Sequence, residues 1–246
     1  MHNTRDSFGS KFGAIAALAG SAVGLGNIWK FPYEEGNNGG GAFLLVYIFF
    51  TVAIGLPVML SEFALGRYSG RNAFGTFDRL EPKTVWRYFG VLVLLAATMI
   101  LSFYGTVAGW TLEYVFKSFT FSFHVGTDVD LNTMFSDFIT NPYKPVFWQI
   151  VFMALTGFIV LAGVKKGIER YTKLMMPLLF VLILILGIRA CTLDGAMEGI
   201  KFFFLPKFSE LTSQGVLSAL GQAFFSLSIG MGVLLTYASY IKKDEN

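Results

Sequence analysis

Apolar runs, most of them long enough to cross a bilayer, alternate along the chain with short stretches that collect the charged side chains. A helix needs about 20 mostly apolar residues to span the hydrocarbon core. Runs of this kind recur near 12–33, 42–65, 89–116, 146–164, 174–188 and 216–240. The pattern predicts an all-α, polytopic membrane protein with six transmembrane helices. The first run continues through glycines to Trp29 and Phe31 with no Ala-x-Ala-like cleavage site, so it is expected to stay in the mature protein.

Spans 2, 4 and 5 read as ordinary membrane helices, with kinks expected at Pro57 and Pro177. The stretch 118–144 is polar and mixed, with Asp128, Asp130, Asp137 and the turn signal Asn141-Pro142. The pattern at 195–204 predicts a short helix over the external face, stopped by Pro206. Spans 1 and 6 differ from the rest. Span 1 carries Gly20, Gly24 and Gly26, and span 6 carries Gly230 and Gly232 near its middle. Mid-helix glycine costs about 1 kcal/mol relative to alanine. Two readings follow: close packing, since Gly20-x-x-x-Gly24 fits a small-xxx-small pattern, or helices that break and offer backbone groups to a polar ligand.

Composition supports a lipid solvent: 54% of residues are hydrophobic and only 14% charged, against about 25% charged in soluble domains. A net charge of +3 gives no reason to expect a nucleic-acid partner. The positions of the cations carry more information. Arg5 and Lys11 precede span 1; Arg67, Arg71, Arg79, Lys83 and Arg87 sit between spans 2 and 3; Lys165, Lys166, Arg170 and Lys173 lie between spans 4 and 5; Lys242 and Lys243 follow span 6. The opposite segments hold Lys30, Lys117, Lys144, Arg189, Lys201 and Lys207, a bias that predicts cytoplasmic termini. Cys191 is the lone cysteine and no Asn-x-Ser/Thr acceptor occurs, which suits a bacterial inner membrane. With His2 and His124 the only histidines, no nucleophile–base pair or metal-ligand cluster stands out, so an enzyme is not expected.

The stretch Gly20-Ser-Ala-Val-Gly-Leu-Gly-Asn-Ile-Trp-Lys-Phe-Pro-Tyr33 resembles the first-helix signature of the neurotransmitter:sodium symporter family, the LeuT-like transporters. Further matches follow in order: Asn37-Asn-Gly-Gly-Gly-Ala-Phe43, Gly55-Leu-Pro57, Glu62 with Gly66-Arg67, Gly109-Trp-Thr-Leu112, Gly167-Ile-Glu-Arg170, Gly221-Gln-Ala-Phe-Phe-Ser-Leu-Ser228 and Tyr237-Ala-Ser-Tyr240. The resemblance implies sodium-coupled symport of an amino acid by alternating access, with helices 1 and 6 broken at mid-membrane. It implies carbonyls of Gly20 and Val23 for one sodium, and for another Ala22, the Asn27 side chain and Ser226. The substrate carboxylate would meet the helix restart near Ala22 and Gly26, and Tyr104. Carbonyls around Phe225 and Ser226, with the Ser228 hydroxyl, would take the ammonium. Ile100, Phe225 and Met231, with Ser21 and Leu25 nearby, would form an apolar side-chain pocket.

Gly24 is informative as an absence. Family members that carry monoamines have aspartate there, whereas amino-acid carriers have glycine because the substrate brings its own carboxylate, so a zwitterionic amino acid is expected, and the apolar lining of Ile100, Phe225 and Met231 makes it a neutral, hydrophobic one. Glu62, an acid at membrane depth, is expected to brace the unwound backbone of span 6. Tyr47, Gln222 and Ser226 match three chloride-site positions, leaving chloride dependence open, and Arg5, Lys30 and Tyr240 match gate positions. Lys30 stands where arginine is usual and lacks its bidentate fork.

The family builds its core from two inverted five-helix repeats. The resemblance therefore implies one transmembrane domain over 1–246, a first repeat at 11–190, and an outer loop with span 6 at 191–246. Helices 7 onward would form a missing C-terminal half supplying the remaining ligands. The chain alone is accordingly expected not to transport. The alternatives are a half-transporter subunit that needs a second chain, or a membrane scaffold in which the glycines only pack.

Overall fold

A computed structural model describes residues 7–122 and 131–241, and all regular structure among them is helical. Span 1 is two helices, α1 (Lys11–Ala22) and α2 (Gly26–Asn37), whose axes bend by 46° at the break. Ser10 starts α1 by accepting the Gly13 amide at 3.0 Å, which satisfies one orphan donor of the first turn. Span 2 is α3 (Gly41–Ser69), followed by the short amphipathic α4 (Ala73–Leu80) and the long α5 (Arg87–Phe119). Then come α6 (Leu131–Thr140), α7 (Lys144–Leu161), α8 (Val164–Cys191), α9 (Ala196–Phe204), α10 (Ser213–Ser226) and α11 (Val233–Ala238). Helices α3, α5, α7 and α8 are each long and apolar enough to cross a membrane, and α1 with α2 makes a fifth, bent span. The sixth predicted span is the interrupted pair α10 and α11.

Two expectations need correction. Span 2 is not a regular α-helix throughout. Thr51–Gly55 forms a π turn, in which the Leu56 amide reaches back five residues to the Thr51 carbonyl. Proline has no N–H to offer the ladder, and the widened turn just before it absorbs the mismatch. Span 5 begins far earlier than 174. Helix α8 starts at Val164, directly after a left-handed Gly163 (φ +85°), so Lys165, Lys166, Arg170 and Lys173 ride on the first turns of α8 instead of a loop. The polar stretch at 118–144 contains a helix, α6, while Asp128 and Asp130 lie outside the described residues. The short helix expected at 195–204 is present as α9.

The chain divides into two compact units. The second, residues 95–163, packs the later part of α5 with α6 and α7. Gly109 lets Gln149 approach so closely that a Cβ would sit 2.7 Å from its backbone nitrogen, and Thr106 donates to Gln149 Oε1 at 3.2 Å. Trp110 packs edge-on against Phe135. The first unit, residues up to 94 and from 164 onward, holds both broken spans. Its buried side chains include many small or aromatic ones, among them Ala42, Phe43, Ala219 and Ala223. Small residues let helix backbones approach where no water-driven force separates helix from lipid. Gly66 shows this most clearly: the Leu235 carbonyl lies against it, and Ala238 Cβ would be 2.8 Å from a Cβ there.

Candidate ion and substrate site at two broken helices

The break in span 1 begins where Val23 leaves helical geometry (φ −94°, ψ 92°) while its amide still bonds the Ala19 carbonyl at 2.7 Å. The chain then turns back into helix, with the Asn27 and Ile28 amides both donating to the Gly24 carbonyl at 3.0 and 3.1 Å. Helix ends orphan backbone groups, and here side chains take up two of them. Asn27 Nδ2 donates to the Ala22 carbonyl at 2.6 Å, and the Ser228 hydroxyl donates to the Ser21 carbonyl at 2.7 Å.

The break in span 6 follows Ser226 and uses left-handed backbone at Ser228 (φ +54°), Gly230 (φ +77°) and Gly232 (φ +71°). Glycine tolerates this region freely, whereas a side-chain-bearing residue there is strained. The Ser228 amide bonds the Phe225 carbonyl at 3.1 Å. Across from the break, Glu62 Oε1 accepts the Gly230 amide at 2.6 Å, the bracing role expected from an acid at membrane depth. Its other oxygen, Oε2, is buried without a hydrogen-bond partner.

Gln222 ties the two breaks together. Its side chain is 1% exposed, and Nε2 donates to the Gly26 carbonyl at 2.9 Å and lies 3.4 Å from both Asn27 Oδ1 and Ser226 Oγ. Ser226 Oγ donates to Asn27 Oδ1 at 2.5 Å. The structure thus brings together Ala22, Gly26, Asn27, Gln222 and Ser226, and separately Ser21 with Ser228. The oxygen atoms here are neutral carbonyls, amides and hydroxyls, and Gln222 Oε1 is buried with no partner. Among the described residues no group of three His, Cys, Asp or Glu could hold a metal. Neutral oxygens at a helix break suit a monovalent hard cation.

The two glycines of Gly20-x-x-x-Gly24 do different things. A Cβ at Gly20 would meet Met176 Sδ at 3.3 Å, so Gly20 is a packing glycine against α8. A Cβ at Gly24 would meet no atom within 4 Å among the described residues beyond its chain neighbours. Val23, Leu25, Phe225 and Met231 are half-buried around the breaks. Tyr47 on α3 stacks edge-on with Phe31, ring centroids 4.8 Å apart. Ile100 and Tyr104 lie on the part of α5 that belongs to the second unit. Of the gate positions, Lys30 is exposed, the Tyr240 carbonyl accepts the Phe8 amide at 3.2 Å, and Arg5 lies outside the described residues.

Two carboxylates stand out that sequence reasoning did not single out. Glu169, 2% exposed at the start of α8, accepts the Gly9 amide at 2.6 Å, the Ser10 hydroxyl at 3.0 Å and Lys173 Nζ at 2.6 Å. It therefore fixes the residue that caps α1. Glu34 on α2 accepts the Ser218 hydroxyl of α10 at 2.5 Å, joining the second half of span 1 to the first half of span 6.

The sequence profile of the Sodium:neurotransmitter symporter family matches residues 5–133 and 136–246. An uncharacterized sodium-dependent transporter of Bacillus subtilis is 45% identical over 96% of this chain and 52% of its own length. One from Methanocaldococcus jannaschii is 36% identical over 98% of this chain and 50% of its own. The crystal structure of MhsT in complex with L-phenylalanine is 48% identical, superposes with a TM-score of 0.91, and is matched over 98% of this chain and 55% of that one. The chain spans about half the length of the relatives it matches.

Proposed function

From the premise that this chain belongs to the Sodium:neurotransmitter symporter family, we propose that its two broken helices carry ligands for sodium-coupled symport of a neutral, hydrophobic amino acid. The observation that carries the reading is the junction of the breaks: the Ala22 and Gly26 carbonyls, Asn27, Gln222 and Ser226 within one hydrogen-bonded cluster, beside an open Gly24.

Sodium is a cargo whose hydration shell must be replaced by oxygens. Asn27 Oδ1, the Ala22 carbonyl and Ser226 Oγ are the set assigned to one ion, and Gly20 and Val23 carbonyls to the other. Tyr47, Gln222 and Ser226 remain candidates for a chloride-like site. The amino acid's own carboxylate occupies the room a Gly24 side chain would take, next to the positive end of α2. Its ammonium meets the Phe225 and Ser226 carbonyls and the Ser228 hydroxyl of the span 6 break. Phe225, Met231 and Leu25 make the first unit's part of the side-chain lining. Lys30 and Tyr240 stand at the two ends as gate residues. L-phenylalanine bound to MhsT, at 48% identity, supports a substrate of this class.

The full-length parent is the unit of transport, in the membrane with residues 1 and 246 of this chain on the cytoplasmic side, and residues 11–190 form its first repeat. The test is equilibrium binding of labelled L-phenylalanine to that parent in sodium and in choline. Binding is expected in sodium only, and lost in Asn27→Ala at normal expression. Equal binding in choline, or binding unaffected by Asn27→Ala, would count against the proposal.

A further inference from the structure

The connection between α3 and α5 takes no part in the site above, yet it is tightly built and strongly basic. Gly70 (φ +61°) ends α3, and Asn72 caps α4 by accepting the Gly75 amide at 2.9 Å. Ser69 and Thr76 share a buried hydrogen bond of 2.7 Å, and Thr76 also donates to the Arg71 carbonyl at 3.2 Å. Arg79 Nη1 donates to the Ser69 carbonyl at 2.5 Å. On the far side, Gly90 lets α5 approach so closely that a Cβ would stand 2.6 Å from Phe74 Cα. The inner face of α4, Ala73 and Thr76, is fully covered.

What this scaffold presents outward is cationic and aromatic. Residues 67–87 contain Arg67, Arg71, Arg79, Lys83 and Arg87 against only Asp78 and Glu81. Arg71, Lys83 and Arg87 are exposed, and Arg87 lies over the Tyr88 ring at 5.2 Å. Beside them Tyr68, Val85, Trp86 and Phe89 are also exposed, Val85 by 74%. The 33 residues of α5 make a rod of about 50 Å, longer than the roughly 30 Å hydrocarbon core. Its Trp86–Tyr88 end therefore falls at a bilayer interface, where Trp and Tyr settle at headgroup level.

We propose that the 67–87 connection binds the headgroups of acidic phospholipids, with Arg71, Lys83 and Arg87 as phosphate ligands and Trp86 seated among the glycerol groups. A cation cluster within a Debye length of an anionic surface is attracted to it. The exposed apolar ring suits a lipid, whose acyl chains continue below the phosphate, better than a soluble acidic partner.

The experiment reads tryptophan quenching in phosphatidylcholine vesicles holding this chain and a small fraction of brominated lipid, either phosphatidylglycerol or phosphatidylcholine. The Trp86 signal is the difference between the unaltered chain and Trp86→Phe. Brominated phosphatidylglycerol is expected to quench it at least about threefold more efficiently than brominated phosphatidylcholine. The excess is expected to vanish in the triple variant Arg71→Gln, Lys83→Gln, Arg87→Gln, and to shrink toward parity for the unaltered chain in about 1 M salt. Arg79 is left intact because it holds the Ser69 carbonyl. Equal quenching by the two lipids, the outcome if the surface serves a soluble protein, overturns the proposal. So does an excess that survives either the triple substitution or the salt arm, which needs no mutant to fold.

Discussion

The two breaks solve the same problem in opposite ways. In span 1 the exposed backbone groups are carbonyls, and they are held by weak, exchangeable donors: the Asn27 amide on Ala22 and the Ser228 hydroxyl on Ser21. In span 6 the exposed group is an amide, and a buried carboxylate holds it, Glu62 on Gly230. Charge-assisted hydrogen bonds are roughly twice as strong as neutral ones. The difference separates a break clamped by a side chain from another helix from one tied by short-range polar contacts. The span 6 break is clamped from α3 and shaped by left-handed backbone, whereas the span 1 carbonyls are held by an amide and a hydroxyl.

Four substitutions test that contrast, and they are expected to diminish in effect on the fold. Gly66→Leu drives a side chain into the Leu235 carbonyl and Ala238 of α11, the anchor of the span 6 break. Overpacking of this kind costs about 1–3 kcal/mol or more, and the variant should lose its monodisperse peak in size-exclusion chromatography. Glu62→Ala leaves the Gly230 amide without its acceptor, a loss of about 1 kcal/mol. Its Tm by scanning fluorimetry should fall clearly, and Glu62→Gln, which keeps an acceptor, should recover most of the loss. An undiminished Tm for Glu62→Ala would remove the claim that α3 clamps the break.

Ser228→Ala removes one neutral hydrogen bond, about 1 kcal/mol, and keeps the left-handed strain, so a small Tm drop is expected. Hydrogen exchange should quicken locally around the span 1 break, not across α10 and α11. Last, Gly24→Ala should leave Tm unchanged, because no atom stands within 4 Å of the new methyl among the described residues. In the full-length parent it should nonetheless weaken L-phenylalanine binding. A variant that instead misfolds would make Gly24 a packing glycine after all.

Much of this was legible in the sequence for definable reasons. Apolar run length located the spans, since the cost of an unsatisfied backbone in lipid leaves little but helix available. Glu62 could be read because an acid inside an apolar run has few purposes. The glycines could not be resolved from the letters: Gly20 packs on Met176 and Gly24 faces open space, yet both are simply glycine within an apolar run. The π turn at Thr51–Gly55 was marked only by Pro57, which does not tell a widened turn from a kink in a run that is mostly apolar. The reach of α8 was misjudged because Lys165, Lys166, Arg170 and Lys173 look like loop, although a helix can carry charges on its first turns. Glu169 was hidden among those same cations, and only the fold reveals that it fastens Gly9 and Ser10.

Gly24 has a consequence for how such proteins diversify. A codon change that adds a side chain there enlarges no core and strains no backbone, since the position is open and its φ is ordinary. On the proposed reading, in which Gly24 leaves room for the substrate carboxylate, cargo preference is separable from foldability at this residue, because a side chain gained there asks for no compensating change elsewhere.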